Sequence, residues 1–137
     1  TAVLAQAEAL KLMLEEGLDN VYARHKKFAL AVQKGIKALG LELFPDEEVS
    51  SYIVTAVKAP EGVEIGKVIK MLNNRFDIMI AGGQKHLKGK IFRIGHCGYV
   101  NEFDIIKTLA ALEQSLAAAG FAFEQGAGVK AVQAALF

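Results

Sequence analysis

Two β-branched runs, residues 51–58 and 90–96, stand among five stretches of helical periodicity. That imbalance constrains the fold more than any other feature of the chain. A sheet of a few short strands cannot form a stable core alone, so the helices must pack on it. Ile53, Val54, Thr55 and Val57 in the first run, and Ile91, Phe92 and Ile94 in the second, suit a pleated surface covered on at least one side. Shorter apolar runs at 41–44 and 78–80 add two candidate strands. Pro45-Asp46 ends the first and the second enters Gly82-Gly83.

The helices read from composition and spacing. Residues 2–16 are rich in Ala, Leu, Glu and Lys, with Gly17 as the stop. Leu18, Val21, Phe28, Val32, Ile36 and Leu39 form one apolar face over 19–39, closed by Gly40. Ile65, Val68, Ile69, Leu72 and Phe76 do the same for a third helix. Asn101 caps a fourth through 119, with Phe103, Ile106, Leu109, Leu112 and Leu116 inward. Residues 121–123 fit neither period. Gly126 and Gly128 mark a local hinge before a last helix at 129–136. The order α, α, β, β, α, β, β, α, α predicts an α+β fold: a small, mostly antiparallel sheet with helices packed on one face.

Sixteen basic and fifteen acidic residues leave a formal charge of +1. That balance argues against nucleic acid or a membrane surface as partner, since both demand a basic excess. No apolar run approaches the roughly 18 residues of a membrane span. The N-terminus lacks the basic-then-apolar order of a signal peptide. The single cysteine, Cys97, fits a reducing compartment, so a cytoplasmic location is expected. The chain opens inside a helix with neither Met nor cap, which suggests a longer polypeptide upstream.

Chemistry concentrates in residues 89–99. On a strand, side chains alternate between faces. Phe92 and Ile94 then share the helix-covered face, while Ile91, Arg93 and Gly95 share the other. A guanidinium within an apolar strand needs an anion or water, because burying it alone is costly. Its planar fork suits a carboxylate, and Gly95 leaves room beside it. Spacing allows two readings: a structural salt bridge to an Asp or Glu, or a ligand site. His96 and Cys97 point to opposite faces, which disfavours a thiol nucleophile. His25, His86, His96 and Cys97 lack the spacing of a metal site. His25, between Val21 and Phe28, reads as a hydrogen-bonded packing residue. Gly82-Gly83-Gln84 reads as a tight turn, with Gln84 and Gly95 as possible cleft residues. The basic run 85–90 reads as a solvated loop.

The run Lys88-Gly89-Lys90-Ile91-Phe92-Arg93-Ile94-Gly95-His96-Cys97-Gly98 resembles the Arg-Ile-Gly signature of class V aminotransferases acting on glyoxylate. Collinear segments agree: Glu16-Gly17-Leu18 with Arg24-His25, Leu39-Gly40-Leu41, Val54-Thr55-Ala56-Val57 with Pro60, and Ala81-Gly82-Gly83-Gln84. Cys97 departs from the family's usual Met. The resemblance implies the small C-terminal domain of a fold-type I, pyridoxal-phosphate-dependent transaminase of the alanine/serine–glyoxylate type, active as a homodimer. Ureidoglycine or an aminophosphonate is the alternative substrate. Residues 1–17 would end a helix leading from a large domain, and 18–137 would be the small domain itself. Arg93 would bind the substrate α-carboxylate. The cofactor lysine would lie in the large domain, since Lys85, Lys88 and Lys90 do not match its motif. The chain by itself is then expected to be inactive. Some family members carry names linking them to a soluble hydrogenase, but one cysteine cannot ligate a metal cluster.

Overall fold

A computed structural model describes all 137 residues. Helix α1 spans Ala2–Glu16 and α2 spans Leu18–Ala38. Strand β1 covers Val54–Lys58, α3 covers Ile65–Phe76, β2 is the short Ala81–Gly82, and β3 covers Ile91–Gly95. Helices α4, Glu102–Ala118, and α5, Ala127–Leu136, complete the chain. No helix is long and apolar enough to cross a membrane.

The sheet is antiparallel throughout, in the order β1-β3-β2. Val57 pairs with Phe92 and Thr55 with Ile94, and these four lie on the buried face. Helices α2, α3, α4 and α5 join Val57, Phe92 and Ile94 in one hydrophobic core, so the expected α+β fold is what forms. The opposite face carries Ala56, Arg93 and Ala81 in register.

The edges of the sheet are shorter than the apolar pattern suggests. Residues 41–44 reduce to a bridge between Leu43 and Val57, with Phe44 N–H donating to Ala56 O and Lys58 N–H to Glu42 O, each at 2.9 Å. Residues 78–80 form no ladder. Asp77 takes a left-handed conformation at φ 54, and Ile78 N–H still donates to Leu72 O, finishing α3. A donor spent on the helix end cannot enter a ladder, so pairing starts at Ala81. Ile78 and Ile80 are buried all the same.

Two inward assignments do not hold. Leu18 sits in the first turn of α2, beside the open α1–α2 junction, and is exposed. Phe103 lies in the first turn of α4, beyond the core, where its ring reaches Phe137; Ile105 is buried instead. Residues 121–123 are irregular, with Phe121 and Phe123 stacked and half-buried against the core. Helix α5 starts at Ala127, two residues before the expected 129.

Helices α2 and α5 cross where Gly35 meets Gly128 and Val132. A Cβ on Gly35 would lie 2.7 Å from Val132 Cγ2 and 3.2 Å from the Gly128 carbonyl, so only a bare backbone allows this approach. Glu113, buried in α4, sends its carboxylate across to the start of α5. It accepts from Gly126 N at 2.6 Å and Val129 N at 2.9 Å. Those N–H groups have no helical partner, and an anion there also suits the helix dipole.

Candidate functional site

Arg93 occupies the middle of the central strand, on the face turned away from the helices. Its neighbours across the strands are Ala56 and Ala81, and a Cβ added to Gly95 on the same face would meet nothing within 4 Å. The guanidinium is therefore ringed by short side chains and only half-buried. Nε and Nη2 both donate to the Gly82 carbonyl, at 3.2 and 3.0 Å. Arg93 has no carboxylate partner within this chain. The Nη1–Nη2 edge of the fork, which carries two parallel N–H groups, makes no further hydrogen bond within the chain.

Gly82 can hold Arg93 because the following turn is tight. A Cβ on Gly83 would fall 2.0 Å from the Leu87 carbonyl oxygen, so glycine is required where the chain folds back into the single-turn helix Lys85–Leu87. Gln84 is exposed at the start of that turn, and its carbonyl accepts from Leu87 N at 2.9 Å. Lys85 adopts φ 48, a strained value for a residue with a side chain. The backbone carbonyl that orients Arg93 has no signature in the sequence.

Beyond Gly95 the strand residues diverge as alternation requires. His96 is fully buried on the core face, with Nε2 2.8 Å from Thr55 Oγ1 and Nδ1 without a partner. Burial pushes its pKa down to about 4. Cys97 is exposed. His25 donates from Nδ1 to Val21 O at 2.7 Å and accepts from Gly98 N at 3.1 Å, a neutral tautomer that satisfies both nitrogens. It is a hydrogen-bonded packing residue, as its place on α2 suggests. Beside it, Arg24 forks onto Glu16 through Nε and Nη2 at 2.6 and 2.9 Å, and Nη1 donates to Gly98 O at 2.8 Å. The hydrogen bonds from Arg24 hold the Glu16 carboxyl below the usual carboxylate range.

The chain's own residues do not fit a pyridoxal cofactor. Every lysine is exposed, whereas an amine that must condense with a carbonyl at neutral pH is made reactive by desolvation or a neighbouring cation.

A helix-backed sheet presenting one guanidinium from its open face defines a small α+β domain. No protein-family profile matches the chain. It is 49% identical over 113 residues to an uncharacterised aminotransferase of Methanocaldococcus jannaschii, covering 82% of this chain and 29% of that protein. It is 45% identical over 129 residues to a soluble hydrogenase small subunit of Synechococcus, covering 93% and 33%. It is 39% identical over 130 residues to a serine–glyoxylate aminotransferase of Methylorubrum extorquens, covering 94% and 32%. Among solved structures, a ureidoglycine–glyoxylate aminotransferase of Bacillus subtilis superposes with a TM-score of 0.88 at 37% identity, over 91% of this chain and 33% of that one. The chain belongs to the class V aminotransferases, as their C-terminal domain. It spans about a third of the length of the relatives it matches.

Proposed function

We propose that this domain receives the substrate carboxylate in a transaminase that moves an amino group from a small amino acid, alanine or serine, to glyoxylate. The observation that carries this is the free Nη1–Nη2 edge of Arg93, on an open face, with no acid in the chain to neutralise it. Gly82 holds the guanidinium plane by its other edge. An incoming carboxylate then meets two parallel donors in a fixed orientation, which sets where its α-carbon and amine lie. Ala56, Ala81 and Gly95 leave room for the acid without contacting what lies beyond it, so they do not choose between alanine, serine and ureidoglycine.

The remaining parts of the proposal are carried over from the family resemblance. Pyridoxal phosphate supplies the electron sink when bound, and the lysine that carries it lies in the large domain that precedes α1 in the longer enzyme. Residues 1–17 are the end of the connecting helix and 18–137 the small domain. The enzyme works as a cytoplasmic homodimer.

Replacing Arg93 by Ala in the enzyme carrying this domain is expected to lower kcat/KM for amino donor and keto acid alike by tenfold or more. Tenfold is about 1.4 kcal/mol, a lower bound beside the roughly 2–5 kcal/mol that losing a buried charge pair costs. Cofactor absorbance should stay as in the parent. Unchanged kinetics for both substrates would refute the assignment.

A further inference from the structure

Helix α1 buries none of its residues. A free helix of 15 residues is marginal in water, and its direction is undefined unless something ties it down. Between α1 and the body lies a cleft of about 410 Å³, lined in part by Leu12, Met13, Val21, His25 and Tyr99. The apolar contact there is incomplete. The junction to α2 is one residue, Gly17 at φ 86, a conformation that costs glycine little.

One polar assembly crosses this junction. Glu16 is the last residue of α1 and Arg24 lies two turns into α2. The Arg24 guanidinium grips both Glu16 oxygens and uses its remaining nitrogen on the Gly98 carbonyl. The N–H of Gly98 is in turn held by His25 from the same helix. Gly98 thus has both backbone groups fixed, three residues past Gly95 and five past Arg93. Asn20 adds a 2.8 Å bond to the Glu16 carbonyl. Both ion-pair side chains are about two-thirds or more covered, so this pair is less screened than the exposed pairs along α1.

We propose that Arg24 is a positioning residue, which sets the attitude of α1 to the strand carrying Arg93 by clamping Glu16 and Gly98 in one planar fork. A point charge cannot do both tasks. An ammonium lacks the fixed geometry that addresses a carboxylate on one edge and a carbonyl on another. The effect on shape stands on the contacts alone, while the effect on catalysis rests on the reading of Arg93 given above. If α1 leads in from the domain that holds the cofactor, its angle sets the distance from Arg93 to the reacting centre. A displacement of the order of 1 Å at such a centre costs up to about a hundredfold.

The test uses nitroxide labels at Gln6 in α1 and Gln114 in α4, both exposed, in a Cys97→Ser background. Pulsed dipolar spectroscopy should give one narrow distance distribution in the parent. Arg24→Gln should at least double its width, and Glu16→Gln should do the same. The double variant should go no further, and Arg24→Lys should fall between. Glu16→Gln removes only the outer partner and serves if Arg24→Gln does not fold. A purely structural role would lower the thermal midpoint and leave the distribution as it was. Parent-like widths in both Arg24→Gln and Glu16→Gln would overturn the proposal.

In the complete enzyme, Arg24→Gln should raise KM for both substrates about tenfold with cofactor absorbance retained. A broadened distribution with unchanged KM would overturn the catalytic half of the proposal. If Arg93→Ala were also without effect, the carboxylate reading would be what had failed.

Discussion

His96 shows how far burial can move a residue's chemistry. Its ring is surrounded by core side chains and touches one polar group, the Thr55 hydroxyl. A proton on Nε2, donated to Thr55 Oγ1, leaves only a lone pair unmet on Nδ1, which costs less than an orphaned N–H. The folded ring titrates near 4, against an ordinary value of 6.5. Above about pH 6.5 both states hold it neutral, and its contribution to stability is fully present. As pH falls from there, the unfolded ring binds a proton that the folded ring refuses. Stability should drop through the window from about 6.5 to about 4, by up to about 3 kcal/mol. Urea midpoints at about pH 7 and about pH 4.5 should fall further in the parent than in His96→Gln. Equal losses would show that other groups cause the acid sensitivity. Arg93 sits three residues away on the opposite face, and its environment could be read beforehand only in part. Alternation gave its face. That its orienting partner is the Gly82 carbonyl, and not an Asp or Glu, depends on a backbone group eleven residues away that every sequence possesses.

Among the elements, helices were legible where their apolar stripes were long, as in α2, α3 and α4. The weak places were ends and edges. Ile78 reads as strand from its side chain, yet its N–H finishes α3. Phe103 has the right spacing but projects past the last layer of core. The start of α5 was misplaced because its cap is not local. Gly126 has no side chain to offer, and Glu113, from the preceding helix, fills that role. An acidic residue in mid-helix reads as solvent-facing, and no spacing rule connects it to a helix N-terminus thirteen residues on. Glu113→Ala should leave those N–H groups unmet in a dry setting and cost about 2–4 kcal/mol. Glu113→Gln should recover part of the loss, since one acceptor oxygen survives. Denaturant unfolding monitored by circular dichroism would measure both. A loss below about 0.5 kcal/mol for the alanine variant would show that water replaces the carboxylate.

At the scale of the molecule, the domain is a helix-backed sheet with one open face. Helices cover the rear of the sheet, small residues clear the front, and the central strand presents a single cation through the opening. The collinear motifs point to this family, and the superposition at a TM-score of 0.88 agrees with them. What lay beyond sequence was the linkage between parts: the Arg24 clamp, the Glu113 cap and the Gly82 brace each join segments far apart in the chain. The claim at the centre is that Arg93 recognises a carboxylate by charge and fork geometry. The most direct measurement pairs parent and Arg93→Gln enzymes with glyoxylate and its uncharged amide, and compares the four kcat/KM values as a cycle. The parent should prefer the acid strongly, and Arg93→Gln should lose that preference by tenfold or more, a coupling of at least about 1.4 kcal/mol. An equal preference for the acid in both enzymes would mean that another group reads the carboxylate, and would contradict the account.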